Sequence, residues 1–292
     1  MNMLYPSGFF STPSAPDPSE EGHLELLYQS EEGYVCLWRG RKEGRFRVYK
    51  ALKERFREDP LYESLLRKEF EIGYSLSHPL VCEYYAFLNH PLLGRCIEME
   101  WIDGEPLQAA SLSRKRIREV MLQLCDILRY LHERQVIHRD IKPSNLLLTH
   151  NGGNLKLIDF GLSDTDAHYL NKGAAGTFRY VAPEVLAGHP ATSRSDIYAL
   201  GCILYESGHY RRIARRCMAA DPSRRYPSAA AVASALRRYP LRWLFPAILV
   251  LGVVVFSLLQ QGKADQSAAD RIIMEATRLM EEAGGVSPVG EP

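Results

Sequence analysis

VIHRDIKPSNLLL, residues 136–148, sets Asp140, Lys142 and Asn145 in a short segment between apolar, strand-like runs. Fourteen residues beyond Asn145, LIDFGLS supplies Asp159, Phe160 and Gly161. Two carboxylates and an amide converging on one point suit Mg²⁺, which takes hard oxygen ligands and accompanies phosphates. A lysine two residues from a carboxylate base adds positive charge where a transferring phosphoryl group would sit. Singly, each residue has a plainer reading, since an aspartate in a loop is usually a cap or a turn former. HRDxKxxN followed by DFG at this spacing is far more specific and points to phosphoryl-transfer chemistry.

The rest of the chain is compatible with a folded domain around that stretch. Its 292 residues suggest one or two domains, and 46% hydrophobic with 24% charged residues is an ordinary globular composition. This excludes disorder throughout, collagen and a small disulfide scaffold. The 36 Lys and Arg nearly cancel the 35 Asp and Glu, so no whole-molecule field favours nucleic acid or an acidic partner. The six cysteines show no CxxC and no Cys/His metal spacing, and are expected to be buried, reduced thiols.

Residues 1–21 are rich in Pro, Ser and acidic groups without periodicity, and a disordered lead-in is expected. No basic segment followed by an apolar run opens the chain, so no cleaved signal peptide is expected. From Leu24 the pattern is strand-like: YVCLWRG and RFRVYKAL flank the turn signal KEG. Residues 61–76 then read as a helix, and two more strands are expected around 81–88 and 95–101. Helical stretches follow at 114–133, 193–206 and 228–238. A β-rich first part and an α-rich second part imply an α+β fold with two lobes.

On these residues the chain resembles the eukaryotic-type protein kinases over roughly residues 24–239. The resemblance implies a domain at 22–239, with a small β-rich N-lobe of about 22–101 and an α-rich C-lobe of about 102–239. It implies that Asp140 accepts the substrate hydroxyl proton, Lys142 steadies the γ-phosphate, and Asn145 and Asp159 hold Mg²⁺. RVYK, 47–50, matches the strand that carries the phosphate-binding lysine, here Lys50. Glu69, nineteen residues on, is its expected partner, with Lys53 and Glu71 as alternatives. Met99 matches the gatekeeper, and Glu100, Trp101 and Ile102 the adenine-binding hinge. Arg139, Phe160, Gly161, Thr177, Glu184, Asp196 and Arg225 match structural or regulatory positions, Arg225 being the expected partner of Glu184. Lys142 with Thr177 resembles serine/threonine rather than tyrosine specificity.

Two departures stand out. Counting back from Lys50 puts Val35 at the valine of the Gly-rich loop, and the three glycine positions then fall on Tyr28, Ser30 and Gly33. Only the last is glycine, so the approach of backbone amides to phosphate is expected to be weakened. Glu206 is followed almost at once by SGHYRRIARRCMAADPSRR, where the family it resembles usually has a loop and another helix, so about thirty residues, the size of a helix with its connections, are missing here. The cluster Arg211, Arg212, Arg215 and Arg216 there reads either as a solvated helical face or as a contact for anionic lipid.

Trp243–Gly262 carries no charge, and about twenty helical residues span a bilayer core. A transmembrane helix is expected over 243–260, the alternative being a buried core helix. Arg237, Arg238 and Arg242 precede it and only Lys263 closely follows, which places the kinase-like part in the cytoplasm and the tail, 261–292, outside it. Within the tail, 268–283 is amphipathic, a dimerisation or sensing element or a weakly ordered end.

A membrane segment directly after the kinase-like domain resembles the bacterial serine/threonine kinase receptors. The function so implied is transfer of the γ-phosphate of ATP to serine or threonine of protein substrates at the cell membrane. Mg²⁺ is the expected cofactor, a homodimer is possible, and no nucleic acid is expected. The alternative, resting on the altered lid and the short C-lobe, is an inactive membrane-anchored scaffold.

Overall fold

The computed structural model describes residues 23–29, 33–160, 178–239, 253, 257, 260 and 271–278. The chain divides into two units, one ending at Leu236 and the other beginning at Arg237.

The first unit opens with strands β1 (Glu25–Gln29), β2 (Val35–Lys42), β3 (Arg45–Leu52), β4 (Tyr84–His90) and β5 (Gly94–Glu100). They form one antiparallel sheet in the order β1-β2-β3-β5-β4. The β2–β3 hairpin closes on two residues, Glu43 (φ 53°) and Gly44 (φ 73°). That tight turn needs positive φ at both positions, which glycine adopts without strain. It fixes the register so that Lys50 pairs with Leu37 on one side and Ile97 on the other.

Helix α1 (Pro60–Tyr74) starts where the Asp59 side chain accepts from Leu61 N and Pro60 supplies a preset first turn. It buries Leu65, Leu66, Glu69 and Gly73. The helical half is built on α2 (Arg114–Glu133) and α4 (Ser193–Glu206), with the single turn α3 (Pro183–Leu186) between them in sequence. The apolar stripe of α2 is buried from Ile117 to Leu131. A capping box of Thr192 and Ser195 starts α4, which is apolar on most of its circumference and lies in the core. The end of the 136–148 stretch is β7 (Leu146–Thr149), the middle strand of a small sheet with β6 (Gly104–Pro106) and β8 (Leu155–Leu157).

Only Ser207–Tyr210 separate α4 from α5 (Arg211–Cys217). Gly208 (φ 71°) and Tyr210 (φ 51°) turn the chain back so that Ile213, Ala214 and Cys217 pack inward. The approach is close: a Cβ on Gly201 would lie 2.5 Å from Cys217 Cβ. Gly201→Ala is therefore expected to cost about 1–3 kcal/mol, read as a lower urea midpoint at unchanged slope. An unchanged midpoint would contradict the contact. Arg211, Arg212, Arg215 and Arg216 are exposed on the opposite face, Arg216 lying over the Tyr226 ring at 4.3 Å. Helix α6 (Ala229–Arg238) follows, burying Ala229, Val232, Ala233 and Leu236.

All six cysteines are buried, and none is in a disulfide. In the second unit, residues 271–278 are an exposed helix. Among the described residues no helix is long and apolar enough to cross a membrane. The expected span at 243–260 lies outside them, save Val253, Ser257 and Gln260, as does the lead-in at 1–21.

Candidate active site

Lys50 sits in the middle of β3, paired on both sides, and its side chain is buried. An unpaired ammonium there would be costly. Its Nζ lies 2.7 Å from Glu69 Oε1 and 2.8 Å from Asp159 Oδ1. Burial alone would lower its pKa, but the Asp159 and Glu69 carboxylates outweigh it and hold the lysine charged. The alternatives separate cleanly: Glu71 is exposed and Glu69 buried on α1, and Lys50 is the lysine that reaches Glu69.

The 136–148 stretch is held by one buried carboxylate and pays for it with a strained backbone at one residue. Arg139 has φ 67°, unusual for a side chain with a Cβ. Asp196, buried on α4, accepts from Arg139 N at 2.9 Å and His138 N at 3.0 Å, and contacts His132 Nε2 at 2.9 Å. This anchors the segment from beneath. Asp140 then presents its carboxylate to Lys142 Nζ at 2.7 Å and Asn145 Nδ2 at 3.0 Å. Asn145 closes the single turn Pro143–Asn145, and its Nδ2 also donates to Asp140 O at 2.9 Å.

That amide orientation commits the nitrogen to Asp140 and leaves Oδ1 as the oxygen donor of Asn145. With the Asp159 carboxylate it makes a hard-oxygen pair of the kind Mg²⁺ accepts. Among the described residues no three His, Cys, Asp or Glu gather as a metal cluster. Two protein ligands supplemented by phosphate oxygens and water are the usual arrangement for Mg²⁺ beside a nucleotide. The donor chemistry therefore fits. Asp159 has φ 69°, and Phe160 behind it is 1% exposed, its ring centroid 5.1 Å from that of His138.

At the hinge, Met99 and Ile102 are buried, and Glu100 Oε2 accepts from Lys156 Nζ at 2.8 Å and Glu83 N at 3.1 Å. This ties the end of β5 to β8. Val35 opens β2 opposite Leu52, and Tyr28 lies in β1 opposite Leu37. Gly33 precedes β2; Ser30, Glu31 and Glu32 lie outside the described residues. Next to Gly33, the Tyr34 ring is 5.1 Å from Tyr62, itself 4.4 Å from Phe56. Burial pushes the Tyr34 hydroxyl up to about 12.

Farther out, Arg225 donates to both Glu184 oxygens, at 2.7 and 2.6 Å, and Ser195 Oγ donates to Oε1 at 3.0 Å. Gly161 and Thr177 lie outside the described residues. Sequence reasoning missed His138, Tyr34, Lys156, Tyr84 and Gly73. A glycine inside a helical pattern, as at Gly73, was the one local signal of a close approach.

A family profile described as "Protein kinase domain" matches residues 25–233. The chain belongs to the protein kinase family. It is 32% identical over 177 residues to a probable serine/threonine-protein kinase, SCO3848, of Streptomyces coelicolor, covering 56% of this chain and 26% of that protein. It is 33% identical over 172 residues to the serine/threonine-protein kinase PknB of Mycolicibacterium smegmatis, covering 54% and 27%. The matched region thus spans about a quarter of the length of these relatives. The fold is similar to the crystal structure of the Mycobacterium tuberculosis PknI kinase domain, with a TM-score of 0.55 and 23% identity over 73% of this chain and 92% of that one.

Proposed function

We propose that the chain transfers the γ-phosphate of ATP to serine or threonine hydroxyls of proteins. One observation carries the reading: Lys50 Nζ is shared between Glu69 at 2.7 Å and Asp159 at 2.8 Å. The lysine that would hold the α- and β-phosphates is thus joined to the carboxylate that would hold the metal. Asn145 and Asp159 would hold Mg²⁺, which when bound offsets the charge of the triphosphate.

Asp140 would accept the proton of the attacking hydroxyl, oriented by Asn145. Lys142, 2.7 Å from Asp140, would stand beside the transferring group and offset its charge. Catalysis on this reading is positioning plus electrostatics. The serine/threonine preference is supported by the printed names of the relatives.

The full chain, incubated with Mg²⁺, γ-labelled ATP and a basic acceptor protein, is expected to leave label on serine or threonine. A folded chain that binds Mg·ATP and leaves no label would contradict the reading and favour a scaffold. Lys50→Met is expected to raise KM for ATP and lower kcat together, because it removes both ion pairs. Equal kinetics would exclude Lys50 from the site.

Anchorage at the cell membrane by 243–260, with the kinase domain in the cytoplasm, belongs to the same proposal. The uncharged stretch and the arginines before it support it. Membranes washed with alkaline carbonate are expected to retain the full chain and release a chain lacking 243–260. Release of both would contradict the anchor. Exposed Ile272, Ile273 and Met274 support self-association through the tail. Sedimentation of the detergent-solubilised chain is expected to show a dimer, and a monomer would contradict it.

A further inference from the structure

Glu69 is gripped from two strands. Lys50 reaches its Oε1 from β3 at 2.7 Å, and the Tyr84 hydroxyl donates to the same oxygen from β4 at 3.0 Å. The Tyr84 ring is 3% exposed and stands edge-on to Phe160, centroids 6.0 Å apart. It can reach this position because α1 offers no side chain one turn beyond Glu69. A Cβ on Gly73 would lie 2.6 Å from Tyr84 Cγ. Gly73 is the penultimate residue of α1, and the space its missing side chain leaves is occupied by the Tyr84 ring. Residues i and i+4 share a helix face, so the glycine and the glutamate meet the same tyrosine.

We propose that Tyr84 is a positioning residue for phosphoryl transfer, its hydroxyl holding Glu69 in the orientation Lys50 requires and Gly73 opening α1 to admit it. The proposal rests on the kinase reading above. Burial and the neighbouring Glu69 carboxylate push the Tyr84 hydroxyl well above its ordinary value, so it remains a neutral donor. A donor to a carboxylate favours the charged form. Burial pushes Glu69 upward, while Lys50 and Tyr84 pull it back. The other groups facing it are Asp159, whose charge opposes ionisation of Glu69, and Tyr34 and Cys82, both pushed upward by burial and therefore neutral.

The sign of the test follows. Tyr84→Phe keeps the ring against Phe160 and removes only the hydroxyl. Glu69 then protonates at higher pH, and the ion pair with Lys50 is lost earlier on acidification. Full-length Tyr84→Phe is expected to lose about tenfold in kcat/KM for ATP. Its acid limb is expected to move up by about one pH unit, with a melting temperature close to that of the wild type. Gly73→Leu with Tyr84→Leu refills the space without the hydroxyl, and is expected to keep the pH profile of Tyr84→Phe.

Superimposable pH profiles for wild type and Tyr84→Phe would overturn the proposal and leave the kinase reading intact. A wild type that binds Mg·ATP without transferring phosphate would overturn the kinase reading instead. The pH dependence of ATP binding in the same pair then decides the role of Tyr84: an upward shift supports it and no shift overturns it.

Discussion

Asp140→Asn is expected to lower kcat by about 10²–10⁴-fold, the usual contribution of a positioned acid–base group, while Mg·ATP affinity changes little. Asn has nearly the shape of Asp and can still meet Lys142 and Asn145, which lie 2.7 and 3.0 Å from the Asp140 carboxylate. It cannot take a proton from a hydroxyl. The oxygen pair proposed for the metal, on Asn145 and Asp159, is untouched. Steady-state kinetics and an ATP titration on the same preparation separate the two effects. An unchanged kcat would remove Asp140 from the reaction, and loss of nucleotide affinity would move it into the binding site.

Arg225→Ala is expected to destabilise the first unit by about 3–5 kcal/mol, the cost of stripping one partner from a buried ion pair. The Arg225 side chain is fully buried, and that of Glu184 is 13% exposed. Besides the two bonds to Glu184, the guanidinium donates to Ala219 O at 2.8 Å and Arg194 O at 2.9 Å. Alanine leaves Glu184 without its cation, with Ser195 Oγ still donating to it, and these carbonyls without the guanidinium. A loss of this size lowers the melting temperature by about 10 °C for a unit of roughly 200 residues.

The effect also has a pH signature. Burial pushes the Glu184 carboxyl up, but the Arg225 hydrogen bonds outweigh it and hold the carboxyl below its ordinary value. Stability from this pair is therefore present above the ordinary carboxylate range and fades as pH falls through the lowered pKa. The gap between wild type and Arg225→Ala is expected to narrow on acidification. A gap that widens would contradict the ion pair.

What was legible in the sequence was what is local. Helices α2 and α4 carry clear periodicity and fall at 114–133 and 193–206, as their patterns imply. Helix α1 begins at Pro60 and ends at Tyr74, near the expected 61–76, since its cap at Asp59 and its Ser75 end are set by side-chain and backbone bonds. Asp140, Lys142 and Asn145 are close in sequence, so their meeting was readable from spacing.

The strands β6 and β8 have three residues each, too few for alternation to show. Helix α5 has seven, and four arginines hide its short buried stripe of Ile213, Ala214 and Cys217. The choice between Glu69 and Glu71 needed the face of α1 that the sheet covers. The Gly73–Tyr84 fit joins a helix to a strand ten residues farther on and has no periodic trace. Asp196 was legible as a position, yet its hold on Arg139 and His138 emerges only when α4 lies beneath that segment.

The most direct test of the assembled centre is the metal dependence of ATP binding, measured by calorimetry on the full chain and on Asp159→Asn. In the wild type, Mg²⁺ is expected to tighten ATP binding, and Asp159→Asn to abolish most of that gain while leaving metal-free binding comparable. Equal affinity with and without Mg²⁺, unaltered by the substitution, would contradict a shared site for metal and nucleotide among Lys50, Asn145 and Asp159.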